Sequence, residues 1–144
     1  MAKPFLRRIV WAALLLLALA CNAGGTRFSY TLTACDESIP MDQLPSWAGV
    51  EIQAQDSSTI RVDQRIAYVC CARIVLALEQ EGNTLRIIER NEGEICRCMC
   101  GYQAHIEIAG LPAGRYTVEV WGVEYPDVHP RQLLGQATVE LARP

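Results

Sequence analysis

The chain has 144 residues, enough for one domain with a hydrophobic core. Its 13 Lys and Arg residues and 16 Asp and Glu residues give a formal net charge of −3. This acidic balance argues against nucleic acid as a partner, because binding to a phosphate backbone requires positive charge on the protein.

The first twenty residues have the pattern of a secretory signal peptide. Lys3, Arg7 and Arg8 carry positive charge without any acidic residue, and an unbroken apolar run follows over residues 9–20. A helix of this length spans about 18 Å, less than the roughly 30 Å core of a bilayer. We therefore expect residues 1–20 to form a cleaved signal helix and not a permanent membrane span. Cleavage removes the three cations, so the formal charge falls from −3 to −6 and no lysine remains.

The residues at the expected cleavage point, Leu17-Ala18-Leu19-Ala20-Cys21, resemble the lipobox of bacterial lipoproteins. In that family the cysteine thiol is acylated and the peptide before it is cut. The resemblance implies that Cys21 is the lipid-bearing N-terminus and that the membrane is a partner, since several acyl chains together give stable anchoring. The alternative is plain secretion, with Cys21 as an ordinary thiol.

Residues 21–27 are polar and rich in glycine, which predicts a short flexible tether. The domain itself is expected over residues 28–144. Its location would then be extracytoplasmic, with lipid anchoring it to the cell membrane or the outer membrane of a bacterium.

The remainder alternates apolar and polar residues with the period of β-strands. Residues 66–78 are more uniformly apolar, as a central strand buried on both faces would be. Residues 81–83, Glu-Gly-Asn, indicate a hairpin turn into the next strand. About seven strands are predicted, over residues 47–55, 59–62, 66–78, 84–90, 97–109, 115–123 and 135–141.

With no amphipathic helix among these strands, the expected fold class is all-β, arranged as a two-sheet sandwich. The turn and strand from Leu111 to Val120, LPAGRYTVEV, resemble a segment found in many exported Ig-like and transthyretin-like modules. The resemblance implies a sandwich of that kind, and carries no functional information.

Six cysteines follow Cys21, and an even number in a small exported domain indicates disulfides. Three of them occupy alternate positions, at residues 96, 98 and 100. On a strand these three would share one face with neighbours about 6.5–7 Å apart, which is too far for them to pair with one another. Each is therefore expected to pair with one of the other three, which leaves six connectivities. The six cysteines are Cys35, Cys70, Cys71, Cys96, Cys98 and Cys100.

The alternating three share their parity with Tyr102, Ala104 and Ile106, and this predicts that they point inward at one end of the core. Cys70 and Cys71 would point to opposite faces of a strand, so either the chain bends there or the two form a vicinal bridge. His105 has the opposite parity and is expected at the surface. His129, in a loop flanked by prolines, is expected there too.

The alternative use of the cysteines is a metal site. Thiolates suit Zn²⁺ or Cu(I), although the spacing here is not that of the usual zinc-binding pair, in which two residues stand between the cysteines. The residues considered for this alternative are Cys70, Cys71, Cys96, Cys98 and Cys100.

The paired cysteines at 70–71, the alternating cysteines at 96–100 with Tyr102, and the following Gly114-Arg-Tyr116 together resemble a group of uncharacterised bacterial lipoproteins. The likeness covers residues 69–120. It implies the fold and the location, and no activity.

The sequence contains no phosphate-binding glycine loop, nucleophile elbow or zinc-protease motif. We therefore expect a lipid-anchored envelope protein that is not an enzyme and uses no cofactor. Its sandwich, cross-linked by disulfides, would have a binding or structural role, with an envelope protein or a glycan as partner. An extracytoplasmic zinc or Cu(I) protein is the alternative function.

Overall fold

A computed structural model describes residues 25–143, and the predicted signal helix and Cys21 lie outside them. In this range 61% of the chain lies in strands. None of its helices is long and apolar enough to cross a membrane. The elements in chain order are β1 (Arg27–Leu32), α1 (Leu44–Trp47), β2 (Gly49–Ala54), β3 (Ile60–Val69), β4 (Ile74–Glu81), β5 (Thr84–Asn91), β6 (Met99–Ala109), β7 (Gly114–Glu124) and β8 (Leu133–Leu141).

The strands form two four-stranded sheets, which confirms the all-β class and the two-sheet arrangement. One sheet has the order β1-β6-β3-β2 and the other has the order β4-β5-β7-β8. All neighbours are antiparallel except β5 and β7, which run parallel. A parallel pair needs a crossover, and here β6 in the opposite sheet lies between β5 and β7 in the chain. The chain therefore crosses from one sheet to the other and back between these two parallel strands.

The core lies between the sheets and follows the alternation of the strands. The inward residues of β3 include Ile60, Val62 and Ile66, all at most 3% exposed. Those of β6 run from Cys100 to Ile108 on even positions, and each is at most 4% exposed. The predicted parity of β6 is confirmed from Cys100 onward. A period of two places such residues on one face, where burial of apolar area stabilises the fold.

The predicted hairpin turn at residues 81–83 is also confirmed, because it joins β4 to β5. Gly82 has φ +57°, a left-handed conformation that glycine adopts without steric cost.

The single strand predicted over residues 66–78 is wrong. β3 ends at Val69, a turn follows at Cys70 and Cys71, and β4 begins at Ile74 in the other sheet. The apolar run is the end of one core strand and the start of another. No glycine or proline marks this turn, which is why the sequence pattern did not show it. The short strand predicted over residues 59–62 is the beginning of β3.

The eighth strand is β1, which was not predicted. It pairs along the edge of β6, from Arg27 opposite Ala109 to Leu32 opposite Ala104. Its side chains are mostly exposed, and only Phe28 and Leu32 pack partly against the core. An edge strand buries little, so its alternation of apolar and polar residues is weak.

Candidate functional site

A cavity of about 450 Å³ opens between the sheets, beside β2 and the segment that leads into β8. Its walls come from β2 and β3 of one sheet, from β5 and β7 of the other, and from residues 129–134. Val50, Ile66, Val123 and Leu134 make much of the lining apolar. This size and lining are those of a small-molecule site, which is usually apolar with a few polar groups.

Two polar side chains at the inner wall of the cavity distinguish it from an ordinary gap between sheets. Gln64 is inward-facing on β3 and 2% exposed, and Glu89 is inward-facing on β5 and fully buried. Neither the Gln64 amide nor the Glu89 carboxyl has a hydrogen-bond partner among the described residues. An unpartnered buried polar group costs about 1–3 kcal/mol, so this pair is energetically unfavourable within the described structure.

Burial raises the pKa of Glu89 to about 7, because the charged carboxylate is poorly solvated there. The nearby Gln64 amide acts in the opposite direction and lowers the pKa. This influence is weaker than burial, and the two side chains are not in hydrogen-bond geometry. Near neutral pH the group can therefore exist in either protonation state.

Tyr68 and His129 form a second polar pair at the cavity. The Tyr68 hydroxyl lies 2.8 Å from Nδ1 of His129, and the two rings meet edge to face with centroids 5.6 Å apart. Burial raises the pKa of the Tyr68 hydroxyl. The expectation that His129 is a surface residue holds only in part, since the loop turns it toward β3, where it is half-buried.

The sequence carries a signal for Gln64 and Glu89 in the alternation of their strands. Glu89 follows Leu85 and Ile87 at the core parity of β5, and Gln64 stands between Val62 and Ile66 at the core parity of β3. A polar residue in phase with core positions is unusual unless something satisfies it. Alternation alone could thus have identified both residues, but not their meeting across the sheets.

The cysteines form a separate cluster at one end of the sandwich. The structure contains three disulfides, Cys35–Cys100, Cys70–Cys98 and Cys71–Cys96, with Cα–Cα distances of 5.7, 5.5 and 6.1 Å. These pairings are one of the six connectivities that the sequence left open.

Two of the cysteines do not lie where strand alternation put them. β6 begins at Met99, so Cys96 and Cys98 belong to the loop before it, and Cys98 is exposed. Of the three alternating cysteines, Cys100 is fully buried in the core and Cys96 packs partly against it. Cys70 and Cys71 do not form a vicinal bridge. The chain turns at these two residues, and each bonds to a different partner.

The sulfur atoms of neighbouring bridges are close to one another. Sγ atoms of Cys35, Cys70 and Cys100 all lie within 4.8 Å of one another. Sγ of Cys96 lies 3.4 Å from Sγ of Cys98. The trio nearest to a metal-binding arrangement therefore includes Cys35, which was not among the residues considered for the metal alternative.

Asn91 organises the loop that carries these bridges. Its Oδ1 accepts from the backbone N–H groups of Arg73, at 3.0 Å, and Gly93, at 2.7 Å, while its Nδ2 donates to the Glu94 carbonyl at 3.1 Å. This buried amide is fully used by local structure, in contrast to Gln64 and Glu89.

His105 lies on the outer face of its sheet, as its parity indicated. It contacts the Asp63 carboxylate, which also accepts two hydrogen bonds from Arg61. The hydrogen bonds from Arg61 lower the pKa of Asp63, and the contact with His105 lowers it by a smaller amount. These side chains neutralise one another at the surface, and only a shallow depression of about 230 Å³ adjoins them.

No protein-family model, curated protein or solved structure matches this chain.

Proposed function

We propose that the protein is a lipid-anchored, non-catalytic binding module of the bacterial cell envelope, whose cavity between the two sheets receives the ligand. The observation that supports binding is the pair formed by Gln64 and Glu89, buried and unpartnered at the wall of an open 450 Å³ cavity. The proposed location rests on the leader and on Cys21, which would attach the domain to the cell membrane or the outer membrane.

The fold that we propose is an Ig-like or transthyretin-like sandwich. Two sheets of four strands are compatible with that assignment. Three disulfides suit the oxidising conditions outside the cytoplasm. The disulfides would stabilise the small domain. This stabilisation would offset the core packing that is lost where the cavity opens between the sheets.

Replacing the polar pair with leucine tests whether it is there for binding or for folding. In Gln64→Leu/Glu89→Leu we expect the free energy of unfolding to rise by about 1–3 kcal/mol, because two unsatisfied polar groups are removed. Urea denaturation at pH 7 measures this change, with Asn91→Leu as the control. Asn91 makes three hydrogen bonds, so its replacement should lower stability. A double variant less stable than the wild type would show that Gln64 and Glu89 serve the fold, and would overturn the proposal.

A second candidate function is an extracytoplasmic metal protein that binds Zn²⁺ or Cu(I) when the bridges are reduced. The close Sγ atoms of Cys35, Cys70 and Cys100 favour it, because reduction would leave three thiolates near one point. Intact mass after alkylation without reductant separates the two functions. Absence of alkylation at the six cysteines of the domain, with loss of six protons, supports disulfides. Six alkylatable thiols, with a metal bound before alkylation, support the metal protein.

A further inference from the structure

We infer that the cavity recognises a primary ammonium or guanidinium group on an apolar stem, held by the Glu89 carboxylate and the Gln64 carbonyl oxygen. This inference rests on the proposed binding function and names the chemical class of the ligand. The group could belong to a free amine or to a basic side chain of a partner protein, and both present the same chemistry to the site.

Glu89 has no cationic partner within residues 25–143. Among the described residues, six arginines form ion pairs, and every one of these pairs is with a carboxylate other than Glu89. The charged and titratable groups that line the cavity with Glu89 are Arg65, Tyr68 and His129. Arg65 is exposed and makes no ion pair with Glu89. A buried carboxylate without a counter-charge is therefore best satisfied by a cation from outside.

Acceptors and apolar walls lie together at the cavity. The two carboxylate oxygens of Glu89 and Oε1 of Gln64 are unpartnered acceptors on strands of different sheets. They are covered in this structure, so a ligand reaches them when the cavity wall moves aside. An ammonium or guanidinium group supplies several N–H donors at once. Around them Val50, Ile66, Val123 and Leu134 offer apolar contacts to a stem.

Long-range electrostatics also favours a cationic ligand. The chain after residue 20 has a formal charge of −6 and no lysine, which follows from the −3 of the whole chain once three cations are removed. A net negative domain attracts cations and raises their local concentration. An anionic ligand would meet repulsion both at a distance and at the Glu89 carboxylate.

The experiment compares n-pentylamine with 1-pentanol, which has the same stem without the charge. The full chain, ¹⁵N-labelled and purified in non-ionic detergent, is titrated with each compound at pH 6 and pH 8. The Gln64 side-chain amide and the backbone signals of the cavity walls report binding. We expect n-pentylamine to bind about tenfold or more tightly than 1-pentanol at pH 8.

The pH dependence identifies Glu89 as the responsible group. With the pKa of Glu89 at about 7, the ionised fraction rises about tenfold from pH 6 to pH 8, so the amine affinity should rise by a similar factor. His129 also lines the cavity, so its contribution is tested by a separate variant. Glu89→Gln should therefore abolish both the charge preference and the pH dependence, whereas His129→Asn should retain them. Glu51→Gln, an exposed carboxylate on β2, is the matched control and should bind like the wild type.

The outcomes separate this inference from the proposed function. If 1-pentanol shifts the cavity signals as strongly as the amine, the inference is wrong while a binding cavity remains. If neither compound shifts them, the inference is wrong, and the stability of Gln64→Leu/Glu89→Leu decides the proposed function separately. A lysine-containing peptide that binds at least tenfold more tightly than n-pentylamine would identify a partner protein as the source, and equal affinities would identify a free amine.

Discussion

Glu89 occupies a position that the alternation of β5 assigns to the core, in phase with Leu85 and Ile87. An apolar residue there would complete the packing between the sheets. A carboxyl group instead loses hydration on folding, and nothing in the described structure replaces the lost hydrogen bonds. The consequence is a pKa raised to about 7 by burial, and this shift couples folding to pH.

We expect the stability of the protein to fall as pH rises from 5 to 8. Below pH 4.5, the ordinary pKa of glutamic acid, Glu89 is protonated in both states; between 4.5 and about 7 only the folded state retains the proton. The native state therefore binds more protons, and the free energy of unfolding decreases with pH by up to about 3 kcal/mol. Urea denaturation at pH 5, 6, 7 and 8 measures this slope.

The Glu89→Gln variant should flatten this dependence, since glutamine does not titrate. Glu51→Gln, at an exposed position, should keep the slope of the wild type. A wild-type stability that is constant or increases over this range would contradict the burial of an unpaired carboxyl.

At the scale of elements, the turn at Cys70 and Cys71 and the loop over residues 91–98 act as one unit. They are joined by two disulfides and by the hydrogen bonds of Asn91. Gly93 packs directly against the backbone of the turn. A Cβ atom there would come within 2.5 Å of the Arg73 nitrogen and 2.9 Å of the Cys71 carbonyl oxygen.

Gly93→Ala should therefore lower the free energy of unfolding by about 1–3 kcal/mol, because backbone atoms held by bridges cannot move aside. Urea or thermal denaturation measures the change. Gly25→Ala serves as the control, since an added methyl group there meets no atom within 4 Å. Equal stability of the two variants would show that the turn and the loop are not rigidly joined.

At the scale of the molecule, the disulfides differ in how much chain they enclose. Cys35–Cys100 joins residues 65 apart and ties the segment after β1 to the core strand β6, whereas Cys71–Cys96 joins residues 25 apart. In the chain-entropy account the longer loop constrains the unfolded state more.

Replacing Cys35 and Cys100 together by alanine should lower stability by about 2–5 kcal/mol. The corresponding Cys71→Ala/Cys96→Ala variant should lose about 1 kcal/mol less, from the difference in loop length alone. The midpoint and slope of guanidinium unfolding, without reductant, compare them. A larger loss in the second variant would indicate that the loop before β6, and not the core strand, controls stability.

The anchoring proposal also concerns the whole molecule. Cys21→Ser should abolish incorporation of labelled palmitate and move the protein from the membrane fraction to the soluble fraction, because the acyl chains provide the attachment. The Cys71→Ala/Cys96→Ala variant, which removes one bridge of the domain and leaves no partner thiol behind, should leave labelling intact. Labelling of the Cys21→Ser variant would show that the lipid is attached elsewhere or that the leader is processed differently.

Local patterns in the sequence determined much of the fold. Alternation located the inward residues of β6 and the hairpin turn at Gly82, since a period of two and a left-handed glycine are properties of the chain itself. The observed cysteine pairing is one of the six that strand spacing left, although Cys96 and Cys98 lie in a loop and not in a strand. Edge strand β1 and the turn at Cys70 and Cys71 were missed because their structure depends on partners distant in sequence, namely β6 and the loop over residues 91–98.

The tertiary structure alone decided which cysteines pair and that Gln64 and Glu89 face the same cavity. Those residues lie on strands of different sheets, and no local pattern states how two sheets are stacked. Sequence could show that each polar residue was in phase with the core. The packing of one sheet on the other buries the Gln64 and Glu89 side chains at the wall of the cavity. It leaves their polar atoms without partners among the described residues.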